Sequence, residues 1–493
     1  MTGPAFSNNR YFHRVPPGTG SGPVAGDALL AVPNIAALVA LDDTTIDDGG
    51  EVSVKSVRDE WFLDKTSALA PDGITIVAAP TAGNWIRKRR PDPAWQLQAN
   101  WYVDAVGGYD ENSGASSLAA LATWGEYQRR VGEGPLTVSH TITFLSAIEE
   151  DIPVNTAAIN ESVDITLQGV RSAPLYSGSV TAKQALNAAA NVDLQITDAG
   201  LPVSWTASGL VDKMYVLTSG PNVGACGWIV LDLGAKVARI TKAYNEGLNS
   251  YVEPAVGETF DVVNLGFIAG RLFGVEGGNV RVVVRDLRFS SPGADVFVTK
   301  GGDWQLLFCD FDGRDINLSG SPQESSSSSA VSVFATRLSA SGFILVERAT
   351  ANIYAAFLAS GVSARTHGSV FFKSDNVFQY KSGPALMRAN GGTRLVINSG
   401  GTLGVFGLAA AGNRALYVSA NSIGVLAGYL YGYGNTFDYA VEVGSGSNVV
   451  YASGFKPVVT AGALSDTLIG NMPRVYAALP ASNLTRMCGM VVE

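Results

Sequence analysis

From about residue 135 to 470 the apolar residues come in short runs, separated by Gly, Ser, Asn and Asp, with almost no helical periodicity. The clearest echoes are late. "FILVERATANIYA" begins at 343, "ALMRANGGTRLVI" at 385, "ALYVSANSIGVLA" at 415 and "AVEVGSGSNVVYA" at 440. Each reads as a strand, a polar turn and a second strand. The offsets of 42, 30 and 25 are uneven, as a coil tolerates when insertions leave through its turns. Earlier, "GNVRVVVRDLRF" (278–289) and "WQLLFCDFDGRD" (304–315) align with Asp286 over Asp310 and Val284 over Phe308. The pattern predicts an all-β chain, a right-handed parallel β-helix of about twelve coils and ~60 Å over 135–470. An antiparallel sandwich is the alternative.

The first third has a different texture. Residues 1–32 read as an extended Gly/Pro/Ser-rich arm around Tyr11 and Phe12, either a loose terminus or a segment that docks on a partner. Residues 33–90 read as a small β module. "PNIAALVALDD" has one apolar helical face, "GGEVSVKSV" alternates as a strand, and "PDG" at 71–73 turns into the strand "ITIVAA". Residues 91–134 read as a junction ending in a short helix, with Leu118, Leu121, Trp124 and Tyr127 on one face. Such a helix would cover the open end of a coiled core. The stretch "SGSPQESSSSSA" (319–330) reads as an exposed excursion, and residues 471–493 as a C-terminal end-piece.

Segment 61–87 resembles a module found near the N-terminus of phage tailspike and tail-fibre proteins. The pattern is an aromatic pair (Trp61, Phe62), Asp64, the Asp72–Gly73 turn, the apolar strand Ile74 to Val77, then Gly83, Trp85 and Arg87. The resemblance covers about a tenth of the chain. It implies a particle-attachment role for this part, with Tyr11, Phe12, Trp61, Phe62, Trp85 and Arg87 as contact residues. It also implies a pectate-lyase-like right-handed β-helix downstream, and a homotrimer that meets tail, neck or baseplate proteins of the virion.

Charge narrows the function classes. The net charge is −9 over 493 residues, opposite to what a nucleic-acid binder needs. The basic run at Arg87–Arg90 reads as a solvated loop. Cys226, Cys309 and Cys488 form no Cys-x-x-Cys and read as buried thiols. His13, His140 and His367 give no metal-ligand spacing. Carboxylates in "YDENSG" read as turn residues before they read as a Ca²⁺ site. Neither metal nor cofactor is expected. The first residues lack a signal-peptide core, and no apolar run is long enough for a membrane helix. Synthesis in the host cytoplasm without membrane insertion is expected, and the resemblance to tailspike and tail-fibre proteins implies a place on the surface of a virion.

The candidate chemistry lies in the acids. Stacked on adjacent coils, Asp286 and Asp310 would lie ~5 Å apart, near the separation of a retaining glycosidase pair. Asp312 and Asp315 add further acids, and Arg285, Arg288 and Arg314 further cations. Against this, Asp commonly closes a strand by capping its own turn, and no glycosidase motif surrounds the pair. A second candidate is "GYLYGYGNTFDYA" (428–440), where Tyr429, Tyr431 and Tyr433 share one strand face suited to a sugar or a neighbouring subunit. The first functional expectation is a structural virion protein that recognises the host surface without catalysis. A depolymerase, hydrolysing or lyase-type, that cuts host-surface polysaccharide with the coil acids is the alternative. A bacterial β-helix protein unrelated to phage is a third.

Overall fold

The computed structural model describes residues 30–459 apart from 55–58, 68–75, 88–96, 111, 132–135, 156–162, 185–193, 276–279, 320–328, 374–375, 381–384, 398–401, 408–413, 420, 427–428, 434–438, 444–447 and 452–455. The chain divides into two units, 1–90 and 91–493.

The first unit contains a five-stranded sheet built on a short helix, Ile35–Val39, capped by the Asn34 side chain. Strands Asp59–Asp64 and Asn84–Arg87 pair antiparallel, setting Leu63 opposite Trp85. Gly83, in the turn from strand Ile76–Ala78 into Asn84–Arg87, has a φ of 73°, and a Cβ there would stand 2.0 Å from the Asp64 carbonyl oxygen. Only glycine fits that turn, which gives the Gly-x-Trp-x-Arg pattern a physical reason. Trp61 and Trp85 are fully buried with Val52, Val54 and Leu63. The contact role expected for these two tryptophans therefore needs correction: they are the module's core. Arg87 is also buried, and Phe62 is half-buried. Tyr11 and Phe12 lie outside the described residues.

The second unit is all-β apart from short helical segments, and three parallel sheets dominate it. Among the described residues they hold eleven, nine and nine strands. The chain visits the sheets in rotation. Arg281–Arg285 lies in the first, Leu287–Ser291 in the second, Phe297–Lys300 in the third, and Asp303–Leu307 returns to the first beside Arg281–Arg285. This arrangement is consistent with a β-helix. Inward positions stack rung on rung: Val282, Trp304, Val331, Ala351, Val370 and Leu395 form one buried column. Phe289 and Phe311 stack at 5.2 Å in the same core.

The corners explain the turn chemistry. Between first and second sheets, Asp286, Phe308, Ala335 and Ala355 all adopt left-handed backbone, with φ between 41° and 56°. Each such residue carries a strain of about 1 kcal/mol, offset by the rungs that the corner brings into register. Gly169 lies under the first of them, and a Cβ there would meet the Asp286 carbonyl oxygen at 2.1 Å.

Uninterrupted coiling from 135 to 470 needs correction. After Asp164–Gly169 the chain leaves this same corner and enters the second sheet at Gly266–Ile268. Between them lies an antiparallel nine-stranded sheet from Tyr176 to Val263. It has its own core, including Ile196, Trp205, Tyr215, Ile229 and Phe260. Its strands are as short and its turns as Gly- and Asn-rich as those of the coils, so local pattern does not separate the two. The alternation of period two is common to both kinds of sheet.

At the N-terminal end of the first sheet, Asn100–Val103 is the last strand. The helix Trp124–Val131 packs here, shorter than the spacing predicts: Leu121 lies before it and Leu118 is 97% exposed. Trp124, Tyr127 and Val131 join Trp101, Ile142 and Phe144 in the core. Thr123 Oγ1 accepts from the Glu126 amide at 3.0 Å, and Asp110 accepts from the amides of Ala122 and Thr123 at 2.9 Å each. That engages the first carboxylate of "YDENSG" in holding the helix start. His140 is buried, with Nδ1 2.9 Å from the Tyr127 hydroxyl. Burial pushes the Tyr127 phenol far above its ordinary range. Tyr127→Phe should lower stability by about 1–2 kcal/mol, read as a shift of the denaturation midpoint at unchanged slope.

Candidate functional site

The expected stacking of Asp286 on Asp310 does not occur. The rung offset is 22, not 24: Val284 pairs with Leu306, and Arg288 with Asp310. Asp286 sits on the corner, where its counterpart one coil on is Phe308, also left-handed. A slip of two keeps the in-and-out alternation of each strand, so the apolar pattern alone does not exclude it. Matching acid to acid chooses the wrong register.

The true register builds a ladder on the outer face of the second sheet. Phe267, Arg288, Asp310, Arg337 and Phe357 occupy five successive rungs. Arg337 Nη1 donates to Asp310 Oδ1 at 2.8 Å, and Arg288 Nε lies 3.3 Å from Oδ2. The guanidinium of Arg288 lies over the Phe267 ring at 5.7 Å, and that of Arg337 over Phe357 at 5.6 Å. One acid thus neutralises the cation above it and the cation below it, and an aromatic ring closes each end.

The inserted sheet covers this ladder. Arg337 Nη2 also donates to Asp212 at 3.0 Å, and Trp228 Nε1 donates to the Ala335 carbonyl at 2.7 Å. Met214, Trp228 and Tyr244 pack on Leu307, Phe308, Ala335 and Phe357. Between the two surfaces a cleft of about 300 Å³ remains, lined by Asp212, Lys213, Asn264, Phe267, Arg288 and Asp310 among others. Lys213 Nζ donates to Asn264 Oδ1 at 2.9 Å. Burial, and then the neighbouring Arg288, push the Lys213 ammonium below its ordinary value. Burial pushes the Asp310 carboxyl up against the pull of Arg337 and Arg288. Asp212 Oδ1 and Arg288 Nε are buried atoms without a hydrogen-bond partner.

A second cluster surrounds Asp286. Its Oδ1 lies 2.6 Å from Arg171 Nη2 and its Oδ2 3.4 Å from Arg285, which in turn pairs with Glu246 at 2.9 Å. These residues line a more open cleft of about 600 Å³ with Gln168, Asn245 and Phe308. Asp286 and Asp310 therefore belong to different clusters. Asp312 is 3.8 Å from Arg288, while Arg314 pairs with Asp295 and Asp315 and not with Asp312.

The arrangement has definite chemical limits. Both oxygens of Asp310 face guanidiniums, and so do both of Asp286. These contacts engage each oxygen of both carboxylates, although each oxygen keeps a further lone pair. Among the described residues no group of three or more metal-ligating side chains converges. Cys226 and Cys309 are buried free thiols; burial pushes the first up to about 11 and the second above its ordinary range. Sequence reasoning misses Lys213, Asp212 and Arg337, because only the insertion's return path brings them to the ladder. Tyr429, Tyr431 and Tyr433 lie in one strand of the second sheet, paired with Thr402, Gly404 and Phe406; their side chains lie outside the described set.

No family model matches the chain, and no curated protein matches it. Among solved structures, the tailspike of Acinetobacter baumannii bacteriophage Fri1, a capsular polysaccharide depolymerase, aligns with a TM-score of 0.25 and 9% identity over 93% of this chain and 78% of that one. The tailspike of A. baumannii bacteriophage AP22, in complex with capsular saccharide, gives 0.17 and 7% over 67% and 70%. Scores this low establish no common fold, and no residue role follows from them.

Proposed function

We propose that the chain is a virion protein of tailspike or tail-fibre type. In this reading its N-terminal part attaches to the particle, and a right-handed, pectate-lyase-like coil projects outward to meet host-surface polysaccharide. The observation that carries it is the three-sheet body, preceded by a separate small module that matches the tailspike-like pattern at Trp61, Gly83 and Trp85. Stacked rungs give a long rigid projection without any need for a catalytic centre, and the paired state of Asp286 and Asp310 favours recognition over cleavage. Homotrimerisation, the expected assembly for such a protein, is part of the proposal. With Trp61 and Trp85 in the core, attachment falls to the surface of the module and to the arm that carries Tyr11 and Phe12.

Two measurements test it. A chain lacking residues 1–90 should fold and fail to join its particle; incorporation at the full-length level would refute the attachment role. The intact chain, incubated with capsular polysaccharide and lipopolysaccharide, should bind and release no reducing ends. A second reading, depolymerisation, is favoured by one observation: a buried carboxyl and a lysine, displaced towards their neutral forms, share the 300 Å³ cleft. Release of reducing ends, or of unsaturated ends, would select it.

A further inference from the structure

We propose that the outer face of the first sheet, beyond the inserted module, binds an acidic polysaccharide along Tyr354, Phe371, Lys373 and Arg394. This rests on the surface-recognition reading above and names the class of saccharide.

The motive is a local reversal of charge. Residues 343–397 hold six Lys and Arg (Arg348, Arg365, Lys373, Lys381, Arg388, Arg394) against two acids, Glu347 and Asp375, in a chain of net charge −9. Among the described residues, Arg271, Arg285, Arg288, Arg314 and Arg337 of the other coils each pair with a carboxylate, and Arg281 donates to the Gln305 side-chain oxygen. Lys373 and Arg394 differ. Among the described residues neither has a carboxylate partner, and both lie over aromatic rings. Lys373 Nζ is 5.5 Å from the Tyr354 ring centre and 5.8 Å from that of Phe371, and the Arg394 guanidinium is 5.7 Å from Phe371.

The rungs place these groups in one stripe. Strands Ala349–Tyr354, Ser369–Phe372 and Arg394–Ile397 are neighbours in register, with Asn352 beside Phe371 and Ser369 beside Arg394. Three rungs span roughly 10 Å. At one end Tyr354 stacks on Phe334 at 4.7 Å and on Tyr251 of the inserted module at 6.0 Å, so the first ring is held rigid. Phe371 and Lys373 are half-buried and Arg394 is exposed.

A pyranose presents apolar C–H groups on its face and, in an acidic polymer, a carboxylate at its edge. Rings fixed on a sheet take the first, and cations flanking them take the second. The cation–π contacts seen here are worth only about 0.5–1 kcal/mol at an exposed site, so a carboxylate displaces them at little cost. A neutral polymer would leave the cations unpaired.

The test uses the full chain with polygalacturonate, hyaluronate, and polygalacturonate whose carboxylates have been reduced to alcohols. Wild type should bind the acidic polymers, more weakly as salt rises, and the reduced polymer at least tenfold less well. The double variant K373A/R394A should lose about tenfold or more for the acidic polymers, with its melting temperature unchanged and its weak affinity for the reduced polymer unchanged. Equal binding of acidic and reduced polymers, no binding of either acidic polymer, or full affinity in the double variant would each overturn the inference. Retained binding of a capsular polysaccharide by the double variant would overturn it too while leaving the surface-recognition reading intact. If wild type binds no capsular polysaccharide or lipopolysaccharide at all, that reading falls with it.

Discussion

Replacing Asp310 by Asn should destabilise the body by about 3–5 kcal/mol, the usual cost of breaking a buried ion pair from one side. Asp310 is 4% exposed and lies between Arg288 and Arg337 in the Phe–Arg–Asp–Arg–Phe ladder. Without its charge, Arg337, itself buried, keeps only Asp212 at 3.0 Å, and Arg288 keeps only Asp312 at 3.8 Å. Asp286→Asn should cost less, about 1–2 kcal/mol, because Arg171 is 28% exposed and Arg285 retains Glu246. Chemical denaturation of the two variants at pH 7 measures the difference. A further variant separates charge from packing: Asp310→Leu combined with Arg337→Met replaces the pair by apolar groups and should recover part of the loss. If the acids are structural, any saccharide binding survives in both Asn variants wherever they remain folded. A hundredfold loss of glycan cleavage in Asp310→Asn, at matched folded fraction, would instead make Asp310 a catalytic residue.

That experiment also shows where sequence reading stops. The all-β class and the parallel stacking of the 278–289 stretch on the 304–315 stretch were legible from apolar runs and turn residues. The register was not. Inward positions in this core are filled by Val, Leu, Phe and Trp almost interchangeably, so a two-residue slip changes no apolar match. What fixes the register is the corner, where Asp286, Phe308, Ala335 and Ala355 share a left-handed backbone. None of the four is glycine, so the usual sequence mark of that conformation is missing. The insertion was hidden for a related reason. Its hairpin turn at Gly234–Ala235–Lys236, all with positive φ, is the kind of local signal that distinguishes an antiparallel hairpin from a coil corner, yet only its glycine announces it. The cleft with Lys213 follows from tertiary placement across the insertion, which no local pattern encodes.

The insertion also changes what the candidate acids mean. In a bare coil, Asp310 would stand on an open sheet face, where a carboxylate can meet solvent and substrate. Under the inserted sheet it needs compensation, and the two guanidiniums provide it. Burial and pairing arrive together: Asp310 holds Arg337, and Arg337 in turn reaches Asp212 of the inserted sheet.

Glu126→Gln should cost about 3–5 kcal/mol at neutral pH and should abolish a specific acid sensitivity of the end helix. Glu126 is buried and accepts from both Arg129 and Arg130, with Arg130 Nε at 2.6 Å. Arg130 is 2% exposed and also donates to the carbonyls of Asp110 and Asn112. It therefore ties the helix to the segment that holds the helix start. Gln removes the carboxylate charge that faces this buried guanidinium. Burial by itself would push the Glu126 carboxyl up, but the hydrogen bonds and charges of Arg129 and Arg130 outweigh it and hold the group below its ordinary value. A carboxyl depressed in the folded state contributes its full stabilisation above the unfolded value, near 4.5. That contribution is lost as pH falls from there through the lower folded value. Wild type and Glu126→Gln should thus differ most at neutral pH and converge as the pH falls below 4.5. The check is a set of denaturation midpoints across that range, with near-ultraviolet circular dichroism of Trp101 and Trp124 reporting the end of the core. A stability difference that stays constant with pH would show that the ion pairs do not hold the helix, and that packing of Trp124 and Tyr127 on Trp101, at 5.2 Å between the Trp101 and Tyr127 rings, is sufficient to close the coil.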